Sequence, residues 1–223
     1  MIKCVLFDLD GTLINTLPTI THYVNTTLTC HGFDSISLEQ CRTIVGKGAR
    51  NLIESALTMV GADAKEHFES VYADYNAAYD AAPNHLATPY SGITDLVTEL
   101  AKRGIRLSVI SNKPDFATKC TVKEFFGDIF DIVKGGIPQA PLKPDPTVPL
   151  SMLRELGVSP DECAYVGDSE VDVLTGFNLG AGKVISCLWG FRTREENLSV
   201  TDGKKVPAFV NSAEELLREI LGE

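Results

Sequence analysis

MIKCVLFDLDGT, residues 1–12, is the stretch on which the reading of the whole chain turns. Residues 2–9 form an apolar run broken only by Lys3 before Asp8, and Gly11 ends it. A run of that kind predicts a strand buried on both faces, as in a parallel sheet, whose carboxyl end delivers Asp8 and Asp10 into a loop.

Outward from there, the pattern over residues 17–82 is helical throughout. Pro18 suits a first helical turn, and Ser37 followed three residues later by Gln40 has the form of a capping box. Leu52, Ile53, Ala56, Leu57 and Val60 keep an i, i+4 stripe. Phe68, Val71, Tyr72, Tyr75 and Tyr79 keep another, which reads as helix packing, and Pro83 closes the block. Beyond it, strand-like and helix-like segments alternate. Ile93, Leu96, Val97, Leu100 and Ala101 make one helical face ended by Gly104. Strands are predicted over 105–110, 129–133, 162–166 and 183–188, and helices up to 126 and over 144–156, 169–179 and 213–221. This alternation predicts an α/β fold with a doubly wound, mostly parallel sheet. The expected division is a core of residues 1–15 and 84–223, with an all-α insertion of residues 16–83 after the first strand.

The chain has 223 residues, 44% of them hydrophobic, enough for a sizeable core. Twenty basic residues stand against 30 acidic ones, a formal charge of −10 that disfavours nucleic acid and anionic membrane surfaces as partners. A small anionic substrate stays open, because a bound cation and a few local donors can invert the field inside one cleft. The six cysteines form no C-x-x-C pair and read as free thiols of a reducing compartment. Residues 11–33 contain no Asp, Glu, Lys or Arg, but Pro18 and the Thr, Asn and His content argue against a membrane span. The first residues lack a signal-peptide hydrophobic region, so a cytoplasmic protein, monomer or homodimer, is expected.

Four short motifs lie at or just beyond the carboxyl ends of predicted strands. They are Asp8-Leu9-Asp10-Gly11-Thr12, Ser111-Asn112-Lys113, Lys143-Pro144-Asp145-Pro146 and Gly167-Asp168-Ser169 with Asp172. Open α/β sheets bind ligands outside the carboxyl ends of their strands, so all four can converge on one crevice. Together they resemble the haloacid dehalogenase-like superfamily, specifically its phosphatases with a helical cap inserted after the first motif. Val45-Gly46-Lys47-Gly48, Pro89-Tyr90-Ser91-Gly92 and Leu188-Trp189-Gly190-Phe191 further resemble phosphoglycolate phosphatases and their relatives.

The resemblance implies a phosphomonoesterase in which Asp8 attacks phosphorus and forms an aspartyl-phosphate. Asp10 would protonate the leaving oxygen and then take a proton from water. Asp8, Asp168 and the Asp10 carbonyl would supply hard oxygen ligands for Mg²⁺. The Ser111 hydroxyl, backbone N–H groups near Leu9 and Asn112, and the Lys143 ammonium would hold the phosphoryl oxygens. Thr12 would orient the Asp10 carboxylate. Asp172 is either an anchor for Lys143 or a metal-bound water, or simply a helix-terminal carboxylate. Lys47, with Arg42 and Arg50 nearby, either reaches a substrate carboxylate or is a surface lysine. His22, His31, His67 and His85 show neither metal-ligand spacing nor a triad partner. Asp10 separates the chain from the dehalogenase branch, which lacks a carboxylate there. The expected reaction is hydrolysis of a small phosphate ester, with 2-phosphoglycolate favoured. A sugar phosphomutase, a pyrophosphatase and a non-catalytic anion- or partner-binding protein are the alternatives.

Overall fold

The computed structural model describes residues 1–201, 203 and 205–223. Its centre is the strand expected from the opening run. β1 (Cys4–Phe7) is wholly buried, because its apolar side chains have protein on both faces. It lies between β4 (Arg106–Pro114) and β6 (Cys163–Gly167), paired parallel to both. β5 (Ile132–Gly136), β7 (Lys183–Cys187) and β8 (Ala208–Val210) complete a six-stranded sheet of order β5-β4-β1-β6-β7-β8, every pair of it parallel.

Helices cover both faces. Val97 and Leu100 of α5 (Ile93–Lys102), Val122 of α6 (Asp115–Phe126) and Leu216 and Ile220 of α10 (Ala213–Leu221) join one core layer with Val5 and Phe7. Met152 and Leu153 of α7 (Thr147–Leu156) and Leu179 of α8 (Glu170–Leu179) join the other with Cys4 and Leu6. Successive β1 residues thus feed opposite layers, as the two-residue period of a strand requires.

Between a short ribbon of β2 (Ile14–Asn15) and β3 (Thr88–Pro89) lie four helices: α1 (Leu17–Cys30), α2 (Leu38–Ile44), α3 (Ala49–Met59) and α4 (Ala64–Ala81). They have a core of their own, in which Leu52, Ile53, Ala56 and Leu57 of α3 meet Val71, Tyr75 and Tyr79 of α4. The Ser37–Gln40 capping box starts α2. Among the described residues, no helix is long and apolar enough to cross a membrane.

Three features differ from the sequence expectations. β4 runs on to Pro114 with a register shift after Ile110, so the strand extends past its expected end at 110 and Ser111, Asn112 and Lys113 form its irregular last stretch. The three-residue edge strand β8 has no periodicity of its own and forms by pairing with β7. The five-residue α9 (Arg194–Leu198) is held by a Thr193–Glu196 capping box.

Candidate active site

Strands β4, β1 and β6 stand side by side, and their carboxyl ends bring three of the four motifs together. After β1 the chain folds into a tight turn in which the N–H groups of Thr12, Leu13 and Ile14 all donate to the Leu9 carbonyl. Gly11 takes φ +86° in this turn, and a Cβ there would strike the Asp168 carboxylate. Lys143 arrives from the loop between β5 and α7, tied down by Asn112, whose Oδ1 accepts from its backbone N–H at 2.8 Å. Asn112 Nδ2 donates to the carbonyls of Lys143 and of Gly46 in the helical block.

Burial makes the electrostatics severe. The Lys143 ammonium lies 2.7 Å from Asp8 Oδ1 and 2.7 Å from Asp172 Oδ1. Burial alone would lower its pKa, but the two carboxylates outweigh that and hold it well above the ordinary value. Asp172 accepts from Lys143, the Tyr165 hydroxyl, and both the N–H and hydroxyl of Ser169. Asp168 accepts from the Thr12 hydroxyl at 3.0 Å and the Phe191 N–H at 2.7 Å. Asp8 Oδ1 is different: it is buried and has the Lys143 ammonium close by, yet it accepts no regular hydrogen bond. Burial, then Asp172, push the Asp8 carboxyl well above its usual range, with Asp168 adding to the shift and Lys143 opposing it. Burial, then Asp172, push Asp168 up to about 7.

The Asp10 carboxylate belongs to a separate group of contacts. Its Oδ1 accepts from the Thr16 hydroxyl at 2.7 Å and from the Lys113 ammonium at 3.2 Å. Thr16 occupies the N-cap position of α1 yet makes no capping bond, since its hydroxyl is spent on Asp10. Lys113 also donates to the Tyr79 hydroxyl of α4 at 2.5 Å. The two carboxylates of the first motif therefore sit in different surroundings two residues apart.

The helical block closes over these residues. A cavity of about 60 Å³ is lined by Asp8, Asp10, Ser111, Lys113, Lys143 and Asp168 from below, and by Ile20, Val45, Leu52, Tyr75 and Tyr79 from the block. Two arginines clasp the halves. The Arg192 guanidinium donates to the carbonyls of Arg42, Thr43 and Val45 at the end of α2, where a cation also meets the helix dipole. Arg42 donates in return to the Phe191 carbonyl.

This geometry can be set beside proteins already known. The haloacid dehalogenase-like hydrolase family matches residues 5–185. The chain belongs to that family. Its sequence is phosphoglycolate phosphatase-like: the enzyme of that name from Xanthomonas campestris is 30% identical, over 87% of each chain. The one from Rhodospirillum rubrum is 34% identical over 83% of this chain and 79% of its own. A solved structure from Lactobacillus delbrueckii superposes with a TM-score of 0.88 at 28% identity, covering 99% of each chain. CbbY from Rhodobacter sphaeroides, solved in complex with phosphate, gives 0.79 at 25% identity, over 97% of this chain and 96% of its own.

Metal binding is a feature this family implies, and the residues present fit a hard divalent cation. Asp8, Asp168 and Asp172 each offer an oxygen within 4.8 Å of the others. Carboxylate oxygens suit such an ion, and Asp8 Oδ1 is a buried acceptor without a regular hydrogen bond. Among the described residues, the carboxylates of Asp8, Asp10, Asp168 and Asp172 have ion pairs with the ammonium groups of Lys113 and Lys143 only. Gly11 and Gly190 leave Asp168 room from two sides, and a Cβ on either would collide with it.

Of the residues expected from sequence, Asp8, Asp10, Ser111, Asn112, Lys143 and Asp168 all line the cavity of this family member. Two expectations are corrected. Thr12 does not orient Asp10: its fully buried hydroxyl goes to Asp168, and Thr16, one helical entry further on, serves Asp10. Lys47 does not reach the cavity: Gly46 and Gly48 line it, but both take positive φ and the lysine between them is exposed. Arg42 is engaged by Glu39, Glu196 and Phe191, while Arg50 lies 64% exposed beside Glu69. Sequence reasoning assigned nothing to Thr16, Lys113 or Arg192, and gave Tyr79 a packing role only. Lys113 stood inside a quoted motif, and its position there was the one available signal.

Proposed function

We propose that the chain is a Mg²⁺-dependent phosphatase acting on a small phosphate monoester, 2-phosphoglycolate, through an aspartyl-phosphate on Asp8. The observation that carries this reading is the split between the paired carboxylates. Asp8 faces Lys143 and the Asp168–Asp172 cluster, whereas Asp10 faces Thr16 and Lys113. A nucleophile needs the first surroundings and a proton donor to the leaving group needs the second. We take residues 16–83 as a cap domain on a core of residues 1–15 and 84–223, and the six free thiols suit a cytoplasmic protein.

In the first step an Asp8 oxygen bonds to phosphorus as the bond to the leaving oxygen breaks. Asp10 gives that oxygen a proton, so an alcohol departs. In the second step water attacks phosphorus, Asp10 takes the proton, and the Asp8–phosphorus bond breaks to release inorganic phosphate. Lys143 and Ser111 hold phosphoryl oxygens. Bound Mg²⁺ supplies positive charge that offsets repulsion between Asp8 and the dianion. Asn112 acts indirectly, by pinning Lys143. The helical block over the cavity limits access of bulk water to the intermediate.

A phosphate-ester panel assayed with Mg²⁺ and with EDTA tests the reading. Metal-dependent phosphate release is expected, with 2-phosphoglycolate ahead of hexose and nucleoside phosphates. Conversion of a sugar phosphate without phosphate release would identify a mutase, and pyrophosphate as best substrate a pyrophosphatase; either result defeats the proposal.

The raised carboxylates also set a pH dependence. Asp168 titrates at about 7 in the fold against roughly 3.9 unfolded, and Asp8 shifts the same way. Between those values the folded state holds protons the unfolded chain has released, so stability of the metal-free protein falls as pH rises from about 4 through 7. Mg²⁺ prefers the ionised carboxylates and opposes the loss. Thermal melts from pH 5 to 8 should show the Tm gap between Mg²⁺ and EDTA samples widening with pH; a constant gap would count against these ligands.

A further inference from the structure

Asp10 and Asp8 account for the chemistry, but the proposed reaction leaves unexplained why a lysine is buried on the leaving-group side. We propose that Lys113, with Tyr79 beside it, receives the carboxylate of the leaving group and so selects carboxylated esters over uncharged ones. This deepens the phosphatase reading and rests on it.

Placement comes first. Asp10 meets the leaving oxygen, and in phosphoglycolate the carboxylate hangs one methylene beyond that atom. A receptor for it has to neighbour Asp10, and the Lys113 ammonium lies 3.2 Å from Asp10 Oδ1 with its side chain 4% exposed. Both Lys113 and Tyr79 line the cavity.

Donor valence comes second. An ammonium has three N–H groups; Asp10 and Tyr79 take two, leaving one. Tyr79 accepts from Lys113, and its own O–H finds no acceptor among the described residues. Burial, reinforced by the nearby Asp10, keeps that phenol protonated by raising its pKa well above the ordinary value. An N–H and an O–H, on atoms 2.5 Å apart, are thus both available to the two oxygens of one carboxylate.

Charge comes third. The Lys113 ammonium stands inside a wall of Ile20, Val45 and Leu52, with Asp10 as its close ion-pair partner. A buried ammonium with an uncommitted N–H is stabilised by a further anion, and a substrate carboxylate supplies one. Among the described residues, the other cations lining the cavity are committed elsewhere, Lys143 to Asp8 and Asp172 and Arg192 to Glu170 and the carbonyls of α2, while Lys47 is exposed. Asp80, the other carboxylate on this wall, is exposed.

The experiment compares kcat/KM for 2-phosphoglycolate and for 2-hydroxyethyl phosphate, which replaces the carboxylate by a neutral group, in saturating Mg²⁺. The unaltered protein should prefer phosphoglycolate by about 10- to 100-fold, the worth of a charged hydrogen-bonded contact. Lys113→Met should bring the ratio near one, chiefly through KM for phosphoglycolate, and Lys113→Arg should restore part of it. Tyr79→Phe, which keeps the ammonium and the packing of α4, should lower the ratio several-fold and guards against a poorly folded Lys113→Met. Equal losses on both esters would show that Lys113 only holds Asp10, and would overturn the proposal. So would a ratio that collapses in Lys47→Met and persists in the Lys113 variants, or an unaltered protein that cleaves both esters equally. If the unaltered protein cleaves neither ester, the phosphatase reading itself falls.

Discussion

Asp8→Asn is expected to abolish turnover, by at least about 10⁴-fold in kcat, while making the metal-free protein more stable at pH 8. The two effects share one cause. Asp8 is held buried against Asp168 and Asp172, and its raised pKa shows that the fold resists ionising it. Asparagine keeps the shape and removes the charge, so the repulsion goes and the nucleophile goes with it. A protonated carboxyl is nearly isosteric with the amide, so the stability gain should shrink as pH falls and the raised Asp8 carboxyl takes up its proton. Rapid acid quench after mixing with a ³²P-labelled ester should label the native chain and leave the variant unlabelled. Turnover surviving the substitution would remove Asp8 from the chemistry; a variant less stable than the native protein at pH 8 would contradict the electrostatic account.

How far the sequence could be read is set by the range of the interactions involved. An apolar run ending in Asp8-Leu9-Asp10 defines a buried strand by itself, and strand ends of parallel sheets converge, so the principal carboxylates and Lys143 were legible. Tyr79 was not. The i, i+4 spacing that puts it beside Tyr75 in the core of the helical block is the same spacing that brings its hydroxyl over the cavity, and packing alone explains the pattern. Which of Thr12 and Thr16 meets Asp10 depends on the path of the turn after Gly11. Both carry the same hydroxyl, and only the three-dimensional course of residues 9–14 separates them. Lys47 was misdirected by backbone geometry, because its flanking glycines turn the main chain towards the cavity and its side chain out. Contacts such as Lys113 to Tyr79, 34 residues apart, have no local signature.

Removing Lys143 should be the most damaging single change to stability and should cost activity as well. Its ammonium, 3% exposed, stands 2.7 Å from both Asp8 and Asp172. Lys143→Met keeps most of the aliphatic volume and leaves those carboxylates, with Asp168 close by, facing one another without a cation. Breaking a buried ion pair from one side costs about 3–5 kcal/mol. Part of that is relieved when Asp8 and Asp168, whose carboxyls burial pushes up, take up protons, so the loss should be larger at pH 8 than at pH 5. Losing a donor to the phosphoryl oxygens should lower kcat by about 10²- to 10³-fold. The double variant Lys143→Met with Asp172→Asn separates the two contributions. It removes an anion together with the cation, so urea melts should recover much of the stability while kcat stays low. If the double variant is as unstable as the single one, the damage comes from lost packing or from the Asn112 contacts to the Lys143 backbone, and charge balance is not what holds this site together.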